Sequence, residues 1–193
     1  MAHPIYQTEG IIIGGYEKGE SSKTLVIITR RFGRIYAHAQ NIRAVNSKLK
    51  NNLQVLSHVN LDLVNGRGYR IVGVEDASLC GQDKLDHSTF LRIMNLVKRF
   101  GGENMAEGNL ENHEELFDDI KSLFYINKSE QENLEVLELL GGIRVMNRLG
   151  YWDGGDSDQI LSGDIDCEKT KYIHGNYKKY LKMLNEAIYN ASI

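Results

Sequence analysis

The sequence predicts an α+β fold in two parts, a small five-stranded closed barrel followed by an all-α helical domain. Apolar and β-branched residues form short runs through the first eighty positions, whereas beyond them apolar residues recur with a period near 3.6. Short turns join the early runs, which excludes parallel βαβ units and favours a closed barrel. We therefore expect a barrel domain over residues 1–80 and a helical domain over residues 81–193.

Five strands are predicted in the barrel, and the third has the clearest pattern. The strands cover residues 9–16, 24–29, 33–40, 53–64 and 69–79. In the third, Ile35, Ala37 and Ala39 alternate with polar and aromatic residues, as in a half-buried strand. Residues 65–68 read Asn-Gly-Arg-Gly, which predicts a tight hairpin between the last two strands because Asn and Gly tolerate positive φ.

The helical domain is predicted from apolar stripes and capping signals. A first helix covers residues 86–100, with Phe90, Ile93 and Val97 on one face. Two capping-box spacings, Asn112 with Glu115 and Ser129 with Glu132, predict two further helix starts. A last helix is expected over residues 176–189, and the Gly-, Asp- and Ser-rich stretch at about residues 153–170 predicts a loop.

The charge is unevenly distributed along the chain, although the net charge is only −3. Residues 1–80 hold ten Lys and Arg against six Asp and Glu, whereas residues 81–193 hold thirteen against twenty. Residues 21–61 contain seven basic side chains and no acidic one. Such a stretch is typical of a surface that binds a polyanion, and equally of a solvated basic face.

No catalytic, nucleotide or metal motif is recognisable. Glu20 occupies the position at which a phosphate-binding loop needs Lys, the six histidines are scattered, and neither cysteine lies in a nucleophile motif. We therefore expect no enzyme activity, no metal and no cofactor. Cys80 and Cys167 are expected to be free thiols, and no apolar run approaches a membrane span, so a cytoplasmic protein is predicted.

The even-numbered residues of the third predicted strand form the candidate binding surface. Arg34, Tyr36 and His38 share the face opposite the small apolar residues, and an OB barrel binds single strands through such cations and rings. The polar segment from Arg43 to Lys50 could close over the strand. The alternative is that Tyr36 packs at a domain boundary while the charges keep the barrel soluble.

An ordered set of short motifs resembles the RecO family of DNA-repair recombination mediators. Tyr6-Gln7-Thr8-Glu9-Gly10 precedes a β-branched run, and Thr29 to Arg34 matches a Thr-Arg-x-x-Gly-Arg turn. The basic loop matches at Ser47-Lys48-Leu49, the hairpin at Gly66-Arg67-Gly68, and a helix end at Leu149-Gly150-Tyr151.

The resemblance implies an OB barrel that binds single-stranded DNA, promotes strand annealing and supports recombinase loading together with RecR. Single-strand-binding protein and the RecA recombinase are further implied partners, and the protein would be associated with the nucleoid. The candidate nucleic-acid-binding residues are Lys23, Arg30, Arg31, Arg34, Tyr36, His38, Arg43, Lys48, Lys50 and Arg67.

Several positions depart from the family pattern. Gln40-Asn41 replaces a Lys-Gly pair, and Asn46 occupies a commonly basic position, so we expect weaker, less salt-dependent DNA binding. Leu140-Gly141-Gly142 replaces the docking sequence for single-strand-binding protein, and Cys167 alone cannot form the four-cysteine zinc module of some members. Two alternatives stay open: a protein-interaction adaptor with weak DNA affinity, and an RNA-binding OB protein.

Overall fold

The computed structural model describes residues 4–40, 42, 52–79, 86–101, 110–126, 133–154 and 158–193. The chain divides into two compact units, one comprising Met1–Cys80 with Gly102–Glu114 and the other Gly81–Gly101 with Glu115–Ile193. Each unit is described by itself below.

The first unit is built on a closed five-stranded barrel with the strand order β1-β2-β3-β5-β4. In this barrel β3 and β5 pair in parallel, and the other neighbouring strands pair antiparallel. This strand order is that of the five-stranded Greek-key barrel of an OB fold, so the predicted fold class is confirmed. The strands are β1 Ile5–Lys18, β2 Ser22–Thr29, β3 Gly33–Ala39, β4 Ser57–Asn65 and β5 Tyr69–Leu79.

β1 closes the barrel because it pairs with β4 along its first half and with β2 along its second. Gly10 lies where the strand changes neighbours, opposite both Thr29 and Val59. A Cβ at Gly10 would come within 2.9 Å of side-chain atoms of Ile27 and Leu61. Only glycine therefore lets the chain bend this closely over the core.

The barrel interior is filled by alternate residues of all five strands. Ile35, Ala37 and Ala39 point inward as the alternation of β3 predicted, and small residues suit the narrow interior. Two strand starts differ by four residues from the prediction, and the other bounds differ by two residues or fewer. β1 starts at Ile5 because Ile5–Glu9 pair with β4, and β4 starts at Ser57 because the chain turns at Leu56, which has φ of 68°.

The helices of the described chain differ from the predicted ones chiefly at their starts. The second helix begins before Asn112, and the third begins after Asn133, whose Oδ1 accepts hydrogen bonds from the backbone N–H groups of Glu135 and Val136. Ser129 and Glu132 lie outside the described residues. The helices are α1 His87–Phe100, α2 Leu110–Tyr125, α3 Leu134–Arg148, α4 Asp158–Leu161, α5 Cys167–Gly175 and α6 Tyr177–Asn190.

The predicted loop at about residues 153–170 is wrong in part, because it contains α4 and the start of α5. Asp166 caps α5 by accepting a hydrogen bond from the backbone N–H of Lys169 at 2.8 Å, and Ile173 anchors the helix in the core. The acidic composition that suggested a loop thus includes an N-cap. None of the helices in the described ranges is long and apolar enough to cross a membrane.

A buried charge network joins three helices of the second unit. Arg144 of α3 is 1% exposed and donates to Asp119 Oδ1 of α2 at 2.8 Å and to the carbonyl oxygen of Ile160 at 3.0 Å. Arg148, one turn later, donates to Asp119 Oδ2 at 2.8 Å and to the carbonyl oxygen of Leu161 at 3.2 Å. Asp119 therefore compensates both guanidinium groups, which in turn hold the end of α4.

Candidate nucleic-acid interface

One row of register partners crosses four strands on the outside of the barrel. Tyr16 of β1 lies opposite Thr24 of β2, Thr24 lies opposite His38 of β3, and His38 lies opposite Arg70 of β5. Register partners project from the same face of a sheet. The pairing therefore brings an aromatic ring, a hydroxyl, an imidazole and a guanidinium into one line.

A β-bulge in β1 determines which residues join this face. Ile12 is opposite Ile27 but Gly14 is opposite Val26, so Ile13 is an extra residue and the alternation of β1 changes phase there. After the bulge Tyr16 and Lys18 point to the outer face. Without it, the alternation would place Glu17 there instead, because successive strand residues face opposite sides.

These residues line an open cleft of about 520 Å³. One end of the cleft is near the β1–β2 turn and the other is the β4–β5 hairpin, the two loops that flank the binding face of OB folds. The lining residues are Tyr16, Lys18, Thr24, Tyr36, His38, Val64, Gly66, Arg67, Gly68, Tyr69 and Arg70.

The cleft combines exposed aromatic rings with positive charge. Tyr16 is 56% and Tyr36 37% exposed, so both rings present area to solvent. Lys18, Arg67 and Arg70 supply the cations, and none of the described lining residues is acidic. The cleft can thus attract an anionic backbone and stack flat, unsaturated rings.

Tyr69 is the fixed aromatic residue of the cleft. Its ring packs on Phe32 with centroids 5.5 Å apart, and Phe32 packs edge-on against Tyr6 at 5.8 Å. All three pack against the barrel core. Burial, together with the neighbouring Tyr6, raises the pKa of the Tyr69 hydroxyl, which therefore stays neutral and available as a hydrogen-bond donor.

Three of the predicted site residues, Tyr36, His38 and Arg67, line the cleft together. Lys23 does not line it. Its register partners are Glu17 and Ala39, and Ala39 points into the barrel, so Lys23 lies on the opposite side of the sheet from Thr24.

Arg30 and Arg31 line a different cleft, of about 400 Å³, at another part of the barrel. Glu9, Asp62 and Glu75 line this second cleft as well. Arg30 Nε lies 3.5 Å from a carboxylate oxygen of Glu9, and Arg31 Nη1 donates to the carbonyl oxygen of Gln7 at 3.3 Å. The charges of the second cleft are mixed, which makes it a poorer surface for a polyanion.

Arg34 differs from the expectation that it stands outside as an accessible cation. It is on the outer face of β3 but only 5% exposed. Its register row continues through Ile28 to Ile11, both buried. Its guanidinium carbon lies over the ring of Tyr36, 5.6 Å from the centroid.

The remaining predicted cations, Arg43, Lys48 and Lys50, lie outside the described residues. Cys80 does so too, whereas Cys167 is an exposed free thiol. Within the described ranges, no three His, Cys, Asp or Glu side chains gather where they could hold a metal ion.

Sequence reasoning missed the other polar and aromatic side chains of the lining, which are Tyr16, Lys18, Thr24, Tyr69 and Arg70. Tyr16 and Lys18 reach the cleft through the bulge, and Arg70 reaches it through the parallel pairing of β3 with β5, which joins residues far apart in sequence. Gly14-Gly15 was the available signal, since glycine inside a strand pattern often marks a bulge.

The similarity to known proteins is clearest in the residues of the barrel. The family model for the Recombination protein O N-terminal domain matches residues 1–80. The chain is similar to a DNA repair protein RecO of Nocardioides, 32% identical over 63 residues, or 33% of this chain and 26% of the relative. It is also similar to one of Bifidobacterium adolescentis, 30% identical over 69 residues, or 36% and 28% of the two chains.

A longer match extends into the helical unit. A DNA repair protein RecO of Streptomyces griseus is 25% identical over 144 residues, which is 75% of this chain and 53% of the relative. The matched regions thus span from about a quarter to about half of these relatives. The family model, the relatives and the OB barrel agree, and residues 1–80 are therefore similar to the N-terminal domain of the RecO family.

Proposed function

We propose that this chain is a non-enzymatic mediator of DNA repair and homologous recombination that binds single-stranded DNA in the cleft of its barrel. The observation that carries the proposal is the meeting of exposed tyrosine rings with Lys18, Arg67 and Arg70, without a described carboxylate among the lining residues. Similarity to relatives that are named DNA repair proteins supports the same role.

The form of the cleft favours a single strand over a duplex. Tyr16 and Tyr36 offer ring area to solvent, and stacking on such rings needs bases whose faces are free. In a duplex those faces are occupied by neighbouring base pairs, so the rings would gain little. The three cations track the phosphates, and His38 and Thr24 offer polar groups between the two rings.

The wider role is proposed from the family. We infer that the barrel anneals complementary strands and supports recombinase loading together with RecR, and that the helical unit binds protein partners. Single-strand-binding protein is the partner least supported, because Leu140-Gly141-Gly142 replaces its docking sequence. Arg43, Lys48 and Lys50 would add phosphate contacts to those of the cleft. As the resemblance to the RecO family implies, the protein would anneal strands without a nucleotide and would work in the cytoplasm at the nucleoid.

The test is fluorescence anisotropy of a labelled single-stranded oligonucleotide across a salt series. Arg67→Gln and Arg70→Gln each remove one cleft cation, so each should lower the slope of log affinity against log salt by about 0.7. Arg31→Gln is the matched control, since it removes the same charge from the second cleft. It should leave the slope unchanged.

The same experiment separates the alternatives. A slope that falls equally in Arg31→Gln and Arg67→Gln would mean diffuse attraction to the barrel and would contradict a site in the cleft. Preference for an RNA strand of the same sequence would point to an RNA-binding protein. Absence of strand binding, with RecR retained on the immobilised protein, would favour a protein-interaction adaptor.

A further inference from the structure

We propose that Arg34 is a positioning residue, which does not touch the nucleic acid but holds the ring of Tyr36 in place for stacking. The proposal rests on the proposed function, because it assigns a part to a residue behind the same cleft. It also replaces the simpler expectation that every arginine of β3 binds a phosphate.

The burial of Arg34 argues against a direct contact. A residue that binds phosphates must present its guanidinium to solvent, but Arg34 is 5% exposed and does not line the cleft. Ile28, its register partner, and Ile11, the next residue of the row, are also buried, so Arg34 lies in a packed part of the outer face. Bringing the side chain out to a phosphate would leave its buried site unfilled.

The position of Arg34 relative to Tyr36 gives the buried cation a role. Residues two apart in a strand share a face, and the Arg34 guanidinium carbon lies over the Tyr36 ring at 5.6 Å from the centroid, within the range of a cation–π contact. Tyr36 is 37% exposed and lines the cleft, so part of the ring is held by Arg34 and part is open to a ligand.

A fixed ring binds a base better than a mobile one. Stacking on a side chain that rotates freely must first restrict that rotation, and this ordering reduces the affinity. The buried guanidinium limits the orientations of Tyr36 before a strand arrives. Arg34 should therefore affect affinity through Tyr36 alone and contribute nothing to the release of counterions from the strand.

Two arginine substitutions separate this role from a phosphate contact. Arg34→Gln should weaken single-strand binding about two- to five-fold, the worth of a cation–π contact, with an unchanged salt slope. Arg67→Gln is the matched substitution at an exposed cation and should lower the slope by about 0.7. Combining Arg34→Gln with Tyr36→Ala should give no further loss beyond Tyr36→Ala alone.

The opposite pattern overturns the proposal. A slope that falls by about 0.7 in Arg34→Gln, or losses that add fully in the double variant, would make Arg34 a phosphate ligand. Both outcomes differ from failure of the proposed function, in which the unchanged protein itself binds no single strand and Arg67→Gln has no effect.

A measurement on the unchanged protein covers the case in which Arg34→Gln does not fold. An arginine-specific dicarbonyl reagent should modify Arg67 in the free protein, and a bound oligonucleotide should protect it. Arg34 should stay unmodified with and without the strand, because its guanidinium is buried. Modification of Arg34 in the free protein, followed by protection on adding the strand, would contradict the positioning role.

Discussion

Exposure, more than residue type, decides which of the predicted binding residues can contact a strand. Arg34 and Arg67 have the same side chain, but one lies buried behind Tyr36 and the other at the tip of an exposed hairpin in the cleft. The sequence marks both as candidate cations. Only the packing of the outer face of the barrel tells them apart, and this packing involves residues distant in sequence.

The exposed rings should contribute most of the affinity that is insensitive to salt. Tyr36→Ala and Tyr16→Ala should each weaken single-strand binding by about 1–3 kcal/mol, the range for loss of one base–aromatic stack, with unchanged salt slopes. Tyr189→Ala is the control, because this tyrosine of α6 is 69% exposed but lies in the helical unit. Equal losses in all three variants, measured by anisotropy, would contradict stacking in the cleft.

At the scale of elements, the alternation of β3 correctly predicted which of its residues face the core. The period-2 pattern of Ile35, Ala37 and Ala39 is local, so it can be read from sequence. The cleft as a whole could not be predicted, because the bulge in β1 and the parallel pairing of β3 with β5 are set by the tertiary fold. Because the bulge shifts the alternation of β1 by one residue, Lys18 and not Glu17 lies on the binding face.

The helices likewise could be predicted where the pattern is local and not where it depends on tertiary packing. The stripe of α1 predicts nearly correct bounds, whereas the predicted loop at about residues 153–170 covers the start of α5, because the cap of this helix is acidic and the helix has few apolar residues. The paired charges of Asp119, Arg144 and Arg148 gave no signal in sequence, because their meeting depends on how α2, α3 and α4 pack.

The buried charge network predicts that one acid-to-amide substitution strongly destabilises the protein. Asp119→Asn should lower the free energy of unfolding by about 3–5 kcal/mol, because it leaves the buried charge of Arg144 without its counterion. The control is Glu138→Gln, the same acid-to-amide change in the exposed ion pair between Glu138 and Arg92. Urea unfolding should show little change for the control, and a similar midpoint for both variants would contradict the role of the network.

The whole molecule carries its charge unevenly, and the binding proposal depends on this. The basic excess lies in residues 1–80 and the acidic excess in residues 81–193, so the net charge of −3 conceals a basic barrel. Long-range attraction of a polyanion should therefore weaken steeply with salt. Affinities for this chain are comparable only at matched ionic strength.

Stability of the whole molecule should also fall in mild acid through His113. Burial lowers the pKa of this imidazole below its usual 6.5, so the unfolded chain takes up a proton at a higher pH than the folded one. The folded state therefore loses stability as the pH falls below 6.5. His113→Gln, which cannot be protonated, should lose less stability than the unchanged protein between pH 7.5 and 5.5 in urea unfolding. Equal losses would contradict this account.

The most direct test of the central claim is to map where a single strand lies on the unchanged protein. A photoreactive single-stranded oligonucleotide would be crosslinked at low salt, and the modified residues identified by mass spectrometry. Crosslinks at Tyr16, Tyr36 and the hairpin around Arg67 are the predicted result. Crosslinks confined to the second cleft around Arg31, or to the helical unit, would contradict a single-strand site in the cleft of the barrel.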